Sequence, residues 1–234
     1  MRVLALDTTT RAGSVAVLDG GRVLAEHAGD GARTQAERLP GEILDVLATA
    51  SLRLSDIDLF AVASGPGSFT GIRIGIACIQ GLATVQRRPV AAVTALRALG
   101  EAAAAGLPAG TRVGAWMDAH RREVFTALYD VVEPATPERA AVLAAVEEAM
   151  VSAPALALAR WLDLGLPSVL CGDGAVQHAG LVRDPVRVLA PPPLASHLAR
   201  LAPLSSPGSP AAVQPFYVRR PDVELTRDAA AARR

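Results

Sequence analysis

The stretch Leu59-Phe60-Ala61-Val62-Ala63-Ser64-Gly65-Pro66-Gly67-Ser68-Phe69-Thr70-Gly71-Ile72-Arg73-Ile74-Gly75 decides how this chain folds. Leu59–Ala63 is a short, fully apolar strand, Gly65–Gly71 is a glycine-rich loop, and an apolar helix continues to about Gln86. A strand that hands over to a helix in this way is the building unit of an α/β fold. The loop amides and the helix N-terminus can hold a phosphate, and Ser68 and Thr70 read equally well as plain N-caps. The third glycine falls one residue late for a GxGxxG fingerprint, and no acidic residue ends the next strand at Val93-Thr94. Both departures argue against a dinucleotide site.

Working outward, Arg2–Leu6 is an apolar run closed by Asp7-Thr8-Thr9-Thr10. Ser14–Leu18 and Arg22–His27 alternate around an Asp19-Gly20-Gly21 turn, which predicts a hairpin. Ile43, Val46, Leu47 and Ala50 mark one face of a helix that starts near Thr34 and tolerates Pro40 close to its first turn. Beyond the glycine helix, Val90–Val93 is a strand and a helix follows through Ala102.

The second half repeats the plan. Val113–Met117 ends in Asp118, a turn follows, and Glu123–Tyr129 alternates as the return strand. Helical stretches broken by Pro134, Pro137 and Pro154 are expected next, then a strand at Ser168–Cys171 feeding Gly172-Asp173-Gly174 and another helix. A strand ending in Asp, a hairpin, helices and a strand ending in a glycine turn thus occur twice at similar spacing, which reads as a duplication. Pro191–Pro193 opens a last helix near Leu194–Leu201. The boundaries drawn are a first lobe over 1–103, a smaller second lobe over 104–190, and a helix near 193–203 that packs back on the first. An extension over 204–234 ends in a loose Ala/Arg tail.

Composition narrows the chemistry. The 234 residues are 51% hydrophobic and only 3% aromatic, so Ala, Val and Leu must fill the core. All 23 basic residues are arginine, which removes the P-loop lysine, Schiff-base chemistry and the kinase strand lysine together. They balance 23 acidic residues, so bulk charge does not grip nucleic acid; arginine is concentrated locally at Arg219-Arg220 and Arg233-Arg234. Cys78 and Cys171 form no CxxC, His27, His120, His178 and His197 are scattered without a zinc spacing, and no GxSxG elbow occurs. No 18-residue apolar run and no leader pattern is present, so a soluble, reduced, cytoplasmic chain without a membrane partner is expected.

Two features carry the functional reading. Asp7 with Thr8 and Thr9, and Asp118 with its turn, are strand-end carboxylates beside tight turns. Facing each other, they can bracket a phosphate chain and its magnesium; alternatively, each caps its own turn. Together with Gly65, Gly67 and Ser68 they form the candidate nucleotide cleft. The glycine helix is the second feature. Ile72, Ile76, Ile79 and Ala83 form one stripe, and Ile74, Cys78, Gly81 and Val85 form another on nearly the opposite side. A helix apolar on two sides is covered on two sides. The bulky β-branched stripe suits a sheet. The side carrying Ile74, Cys78, Gly81, Val85 and the small residues Gly71 and Gly75 suits a partner helix.

Leu4-Ala5-Leu6-Asp7-Thr8-Thr9-Thr10, Ser14–Val17, Ser64–Gly75, Asp118–Phe125, Gly172-Asp173-Gly174 and Pro215-Phe216-Tyr217-Val218-Arg219 together resemble the bacterial TsaB (YeaZ-like) family over nearly the whole chain. The resemblance implies an actin/Hsp70-like α/β fold of two RNase H-like lobes. It also implies a role in making threonylcarbamoyladenosine beside the anticodon of tRNAs. The implied role is that of a non-catalytic scaffold for a TsaD-like catalytic subunit, with a TsaE-like ATPase in the same complex. ATP or ADP and the metal then belong to the partner subunits, nothing is firmly bound by this chain alone, tRNA is met only through the complex, and a homodimer is expected when the partner is missing. Catalytic relatives carry an Asn-His-x-x-x-His run where this chain reads Thr94-Ala95-Leu96-Arg97-Ala98-Leu99, so Ala95 and Leu99 replace the two metal ligands. The family's frequent His-Ser pair before the first helix is Arg33-Thr34 here. The contrasting expectation is a self-sufficient enzyme of the superfamily. It would be an ATP-dependent phosphotransferase using Asp7 and Asp118 as magnesium carboxylates, or a peptidase.

Overall fold

A computed structural model describes residues 1–219; the expected loose tail lies outside the described residues. The first sheet contains β1 (Arg2–Asp7), β2 (Ser14–Asp19), β3 (Arg22–Ala28), β4 (Leu59–Gly65) and β5 (Val90–Thr94) in the order β3-β2-β1-β4-β5. β1, β2 and β3 pair antiparallel; β4 joins β1, and β5 joins β4, in parallel. The second sheet contains β6 (Arg112–Asp118), β7 (Val124–Glu133), β8 (Val142–Ser152), β9 (Val169–Cys171) and β10 (Arg187–Leu189) in the order β10-β9-β6-β7-β8. Read from β8 inward, this is the same succession of three antiparallel and two parallel strands. The chain is therefore a duplicated α/β unit with the actin/Hsp70-like, two-lobed architecture.

Both faces of the inner strands β1, β2, β4 and β6 are covered, which explains why they are buried nearly throughout, whereas β3 and β8 at the sheet edges are largely exposed or half-buried. From β1, Leu4 and Leu6 point outward to α1 (Gln35–Thr49) and α2 (Phe69–Gln86). Val3 and Ala5 point inward to a central layer formed by α3 (Ala95–Ala103) and α6 (Ala195–Leu201). The other side of that layer packs on Val113, Ala115, Ala127 and Tyr129 of the second sheet, so one continuous core joins the two lobes. Trp116, Leu128 and Leu170 face outward beneath α4 (Pro154–Leu164) and α5 (Asp173–Gln177). The layers run helix, sheet, helix, sheet, helix.

Two expectations are corrected. The segment read as helical after β7 contains β8, and a short strand, β10, was not foreseen. Val142–Ser152 is rich in Ala and Glu, both good helix formers, but propensity is a small term per residue and pairing along β7 overrides it. Burial supports the strand: Leu143 faces the core, while Glu147 accepts from Trp161 Nε1 at 2.8 Å and pairs with Arg160 at 2.9 Å. Pro154 does not interrupt a helix but opens α4, where its missing N–H is no loss.

α2 fixes the first lobe. Ile72, Ile76, Ile79 and Ala83 are buried against the sheet, as the bulky-stripe reading expects. Gly71 and Gly75 are not on the free side with Cys78 and Gly81; this is a further correction. A Cβ on Gly71 would stand 2.1 Å from Thr8 O, and one on Gly75 would stand 2.2 Å from Thr8 Oγ1. These glycines let the helix backbone rest on the turn after β1. A Cβ at Gly81 meets nothing within 4 Å. Gly71→Ala should therefore cost about 1–3 kcal/mol through overpacking. Gly81→Ala in the same helix should gain roughly 0.5–1 kcal/mol by relieving backbone entropy. Urea unfolding of the two variants checks the opposite signs.

Candidate functional site

The front of the molecule holds a cleft of about 980 Å³ between the lobes, on the side away from α3 and α6. Thr9, Gly67, Ser68 and Asp118 line it, whereas Asp7, Thr8 and Gly65 lie beneath its surface. The structure thus brings four of the seven candidate nucleotide residues to the cleft wall.

The donors there are largely engaged within the chain. Asp7 Oδ1 accepts Thr9 N–H at 2.8 Å and Thr9 Oγ1–H at 2.6 Å. Thr9 O accepts the Ser68 amide at 2.7 Å, and Ser68 Oγ accepts the Gly71 amide at 3.2 Å as the N-cap of α2. Gln35 Nε2 donates to Thr8 O at 3.1 Å and Thr10 O at 2.8 Å, pinning the same turn from α1. In the second lobe, Asp118 Oδ1 accepts His120 N–H at 2.8 Å, and Asp173 Oδ1 accepts the amides of Asp118 at 3.0 Å and Gly174 at 2.8 Å. These are capped turns. In the glycine loop the Ser68 and Gly71 amides are thus already bonded within the chain. Among the described residues, no group of three or more His, Cys, Asp and Glu is placed to hold a metal ion.

Burial governs the titration of this region. Asp7 is held above the ordinary aspartate value, chiefly by loss of water; the Thr9 bonds oppose the shift and the Asp173 carboxylate adds to it. The thiols are poor nucleophiles for the same reason: burial raises Cys78 and pushes Cys171 up to about 12. At the β6–β7 turn, His120, Arg121 and Arg122 stand consecutively at φ 57°, 54° and 63°, a left-handed run unusual for residues with side chains.

The segment Phe216–Arg219, to which the sequence assigns no role, also lines the cleft. The Phe216 amide donates to Ser64 O at 2.8 Å, and Tyr217 stacks on Phe69 at 5.2 Å between ring centres. Tyr217 Oη accepts from Arg73 Nε at 2.9 Å. Arg219 Nη1 donates to Ala119 O at 2.7 Å, and Nη2 pairs with Glu123. The available signal was an adjacent Phe-Tyr pair in a chain with few aromatics.

On the outer face of α2, Ile74 and Cys78 are half-buried, while Ala77, Gly81 and Val85 are exposed, Val85 at 77%. α1 lies beside it and exposes Leu44 at 66%.

Comparison with known proteins places this geometry. The family profile for tRNA N6-adenosine threonylcarbamoyltransferase (TsaD) matches residues 27–174. A solved structure described as YeaZ from Pseudomonas aeruginosa superposes with a TM-score of 0.72 at 31% identity, over 92% of this chain and 99% of that one. The chain belongs to the TsaB/YeaZ-like family. The Escherichia coli protein named tRNA threonylcarbamoyladenosine biosynthesis protein TsaB is 42% identical to this TsaB/YeaZ-like chain over 129 residues, or 55% of each. That match spans about half the length of the E. coli relative. An uncharacterized Mycobacterium tuberculosis protein is 34% identical over 228 residues, covering 95% of this chain and 93% of that relative. No helix among the described residues is long and apolar enough to cross a membrane.

The raised Asp7 gives a pH prediction. A carboxyl whose folded pKa lies above its unfolded one contributes stability below the unfolded value, near 3.8, and loses it as pH rises through the folded value. Asp7→Asn keeps an acceptor for Thr9 and removes the charge. Unfolding free energies measured between pH 3 and 8 should show the unsubstituted chain losing ground to Asp7→Asn as pH increases. A gap that is constant across that range would contradict the assignment.

Proposed function

We propose that this TsaB/YeaZ-like chain is the non-catalytic scaffold subunit of the machinery that installs threonylcarbamoyl on the adenosine beside the anticodon of tRNAs, acting by pairing with a TsaD-like catalytic subunit. The observation that carries the reading is the state of Ala95 and Leu99. Where the resemblance puts metal ligands, this chain has two hydrocarbon side chains, 0% and 1% exposed, within the core between the lobes. Neither can ligate a cation, and filling that position with packing leaves the reaction to another subunit. The names of the E. coli, Haemophilus influenzae and Bacillus subtilis relatives support the pathway.

The pairing surface in this reading is the outer side of α2 with its neighbour α1. Small side chains at Ala77, Cys78 and Gly81 permit close approach of another helix, and Val85 and Leu44 give it apolar area to cover. A second copy of the chain takes the same face when the catalytic subunit is absent. Nucleotide, metal and tRNA are handled by the TsaD-like and TsaE-like subunits, and the cytoplasm is the compartment where tRNA and those subunits meet.

The purified chain, given activated threonylcarbamoyl donor and tRNA, should incorporate nothing, and incorporation should appear on adding the TsaD-like subunit. Incorporation by the chain alone would refute the scaffold role. Cys78→Glu should leave the monomer folded and abolish co-elution with that subunit, because a carboxylate is costly only once a partner covers it. Ile76→Ala should instead lower the stability of the lone chain by about 2–5 kcal/mol. Thermal melts and co-elution of both variants separate the two faces; a Cys78→Glu chain that unfolds alone would make the second cover intramolecular.

A further inference from the structure

We propose that the segment Phe216–Arg219 is an interlobe clamp that sets the opening of the cleft by locking the strained β6–β7 turn of the second lobe to α2 of the first. The two lobes are joined at the back through α3 and α6, and the cleft lies on the opposite side, where turns rather than packed helices face each other. The segment crosses that side. Its first-lobe anchors are the Phe216 amide on Ser64 O and the Phe69–Tyr217–Arg73 stack, in which the Arg73 guanidinium lies 3.9 Å from the Phe69 ring centre. The backbone contact is close enough that a Cβ on Gly65 would stand 2.5 Å from Phe216 O, so glycine is required there at φ 122°.

The second-lobe anchor is Arg219, and its two bonds go to the residues that flank the left-handed run. Ala119 O accepts one arm, Glu123 takes the other, and between them stand His120, Arg121 and Arg122. The turn is also closed by Ala119 N–H on Glu123 O at 3.0 Å and Glu123 N–H on His120 O at 2.9 Å. A residue with a side chain held in the left-handed region is strained and persists only where its surroundings over-determine it. A planar guanidinium with donors on both arms can hold both ends of such a turn at once. The same side chain therefore fixes the turn and ties it to the other lobe. The idea does not depend on the assembly reading above.

The test uses the full chain with Cys78→Ser and spin labels at Ala36→Cys on α1 and Gln177→Cys on α5; Cys171 is 1% exposed and takes no label. The expected result is a narrow interlobe distance distribution in this background that widens with Arg219→Ala. Amide exchange at Ala119 and Glu123 should rise several-fold in the same variant. Arg219→Lys, one point charge without the fork, should fall between. Unchanged distances with Arg219→Ala overturn the clamp, whether or not exchange at the turn increases. Should Arg219→Ala lose its circular dichroism signature, Glu123→Gln breaks the ion pair from the other lobe and decides by the same distance criterion.

Discussion

The seat of α2 on Thr8 is the contact from which the first lobe is built. Two glycines one turn apart, Gly71 and Gly75, bring the helix backbone against the carbonyl and hydroxyl of one residue. A helix held that closely at its first turns can neither roll nor slide. Its orientation then follows: Ile72, Ile76 and Ile79 fall on the sheet, the Ser68 amide falls on Thr9 O, and the side bearing Cys78 and Gly81 faces outward. The same contact thus shapes the cleft wall and the exposed helix face.

The central α3/α6 layer imposes the second constraint. It must pack on two sheets at once, and a chain with so few aromatic rings fills the space with Ala and Leu. Small side chains let the sheets approach both faces of one helix layer at interior packing density. Ala95 and Leu99 belong to this layer, so a ligand pair there would replace hydrocarbon buried between two sheets with groups needing polar partners. Packing and chemistry compete for the same positions, and in this chain packing occupies them.

Much of this was legible in the sequence because it is encoded by local periodicity. The Asp19-Gly20-Gly21 hairpin, the strand into Gly65, the two repeats and the bulky stripe of α2 all rest on residues close together in the chain. What was misread depends on distant contacts. β8 looks helical by composition and is a strand because β7 supplies its backbone partners. Gly71 and Gly75 look like a groove for another helix until Thr8, distant in sequence, is seen to fill it. The glycine loop reads first as a structural turn, and which of its amides are bonded depends on Thr9, distant in sequence, whose carbonyl takes the Ser68 amide. The grip of Arg219 on Ala119 and Glu123 joins residues almost half the chain apart.

These constraints redistribute the capacity for recognition. In a phosphate-binding cleft, free amides and solvated carboxylates are the working groups. Here Asp7 is desolvated and doubly bonded, the Ser68 and Gly71 amides are bonded within the chain, and Phe216 runs over Gly65. Each such bond stabilises the fold and removes one donor or acceptor from ligand binding. The outer face of α2 carries no comparable network, because its exposed members Ala77, Gly81 and Val85 have no side-chain polar atoms to satisfy. Apolar, small and rigidly presented by the contact with Thr8, that face can gain free energy only by being covered. The polar groups of the cleft wall thus satisfy one another in part, and the exposed side of α2 is left apolar.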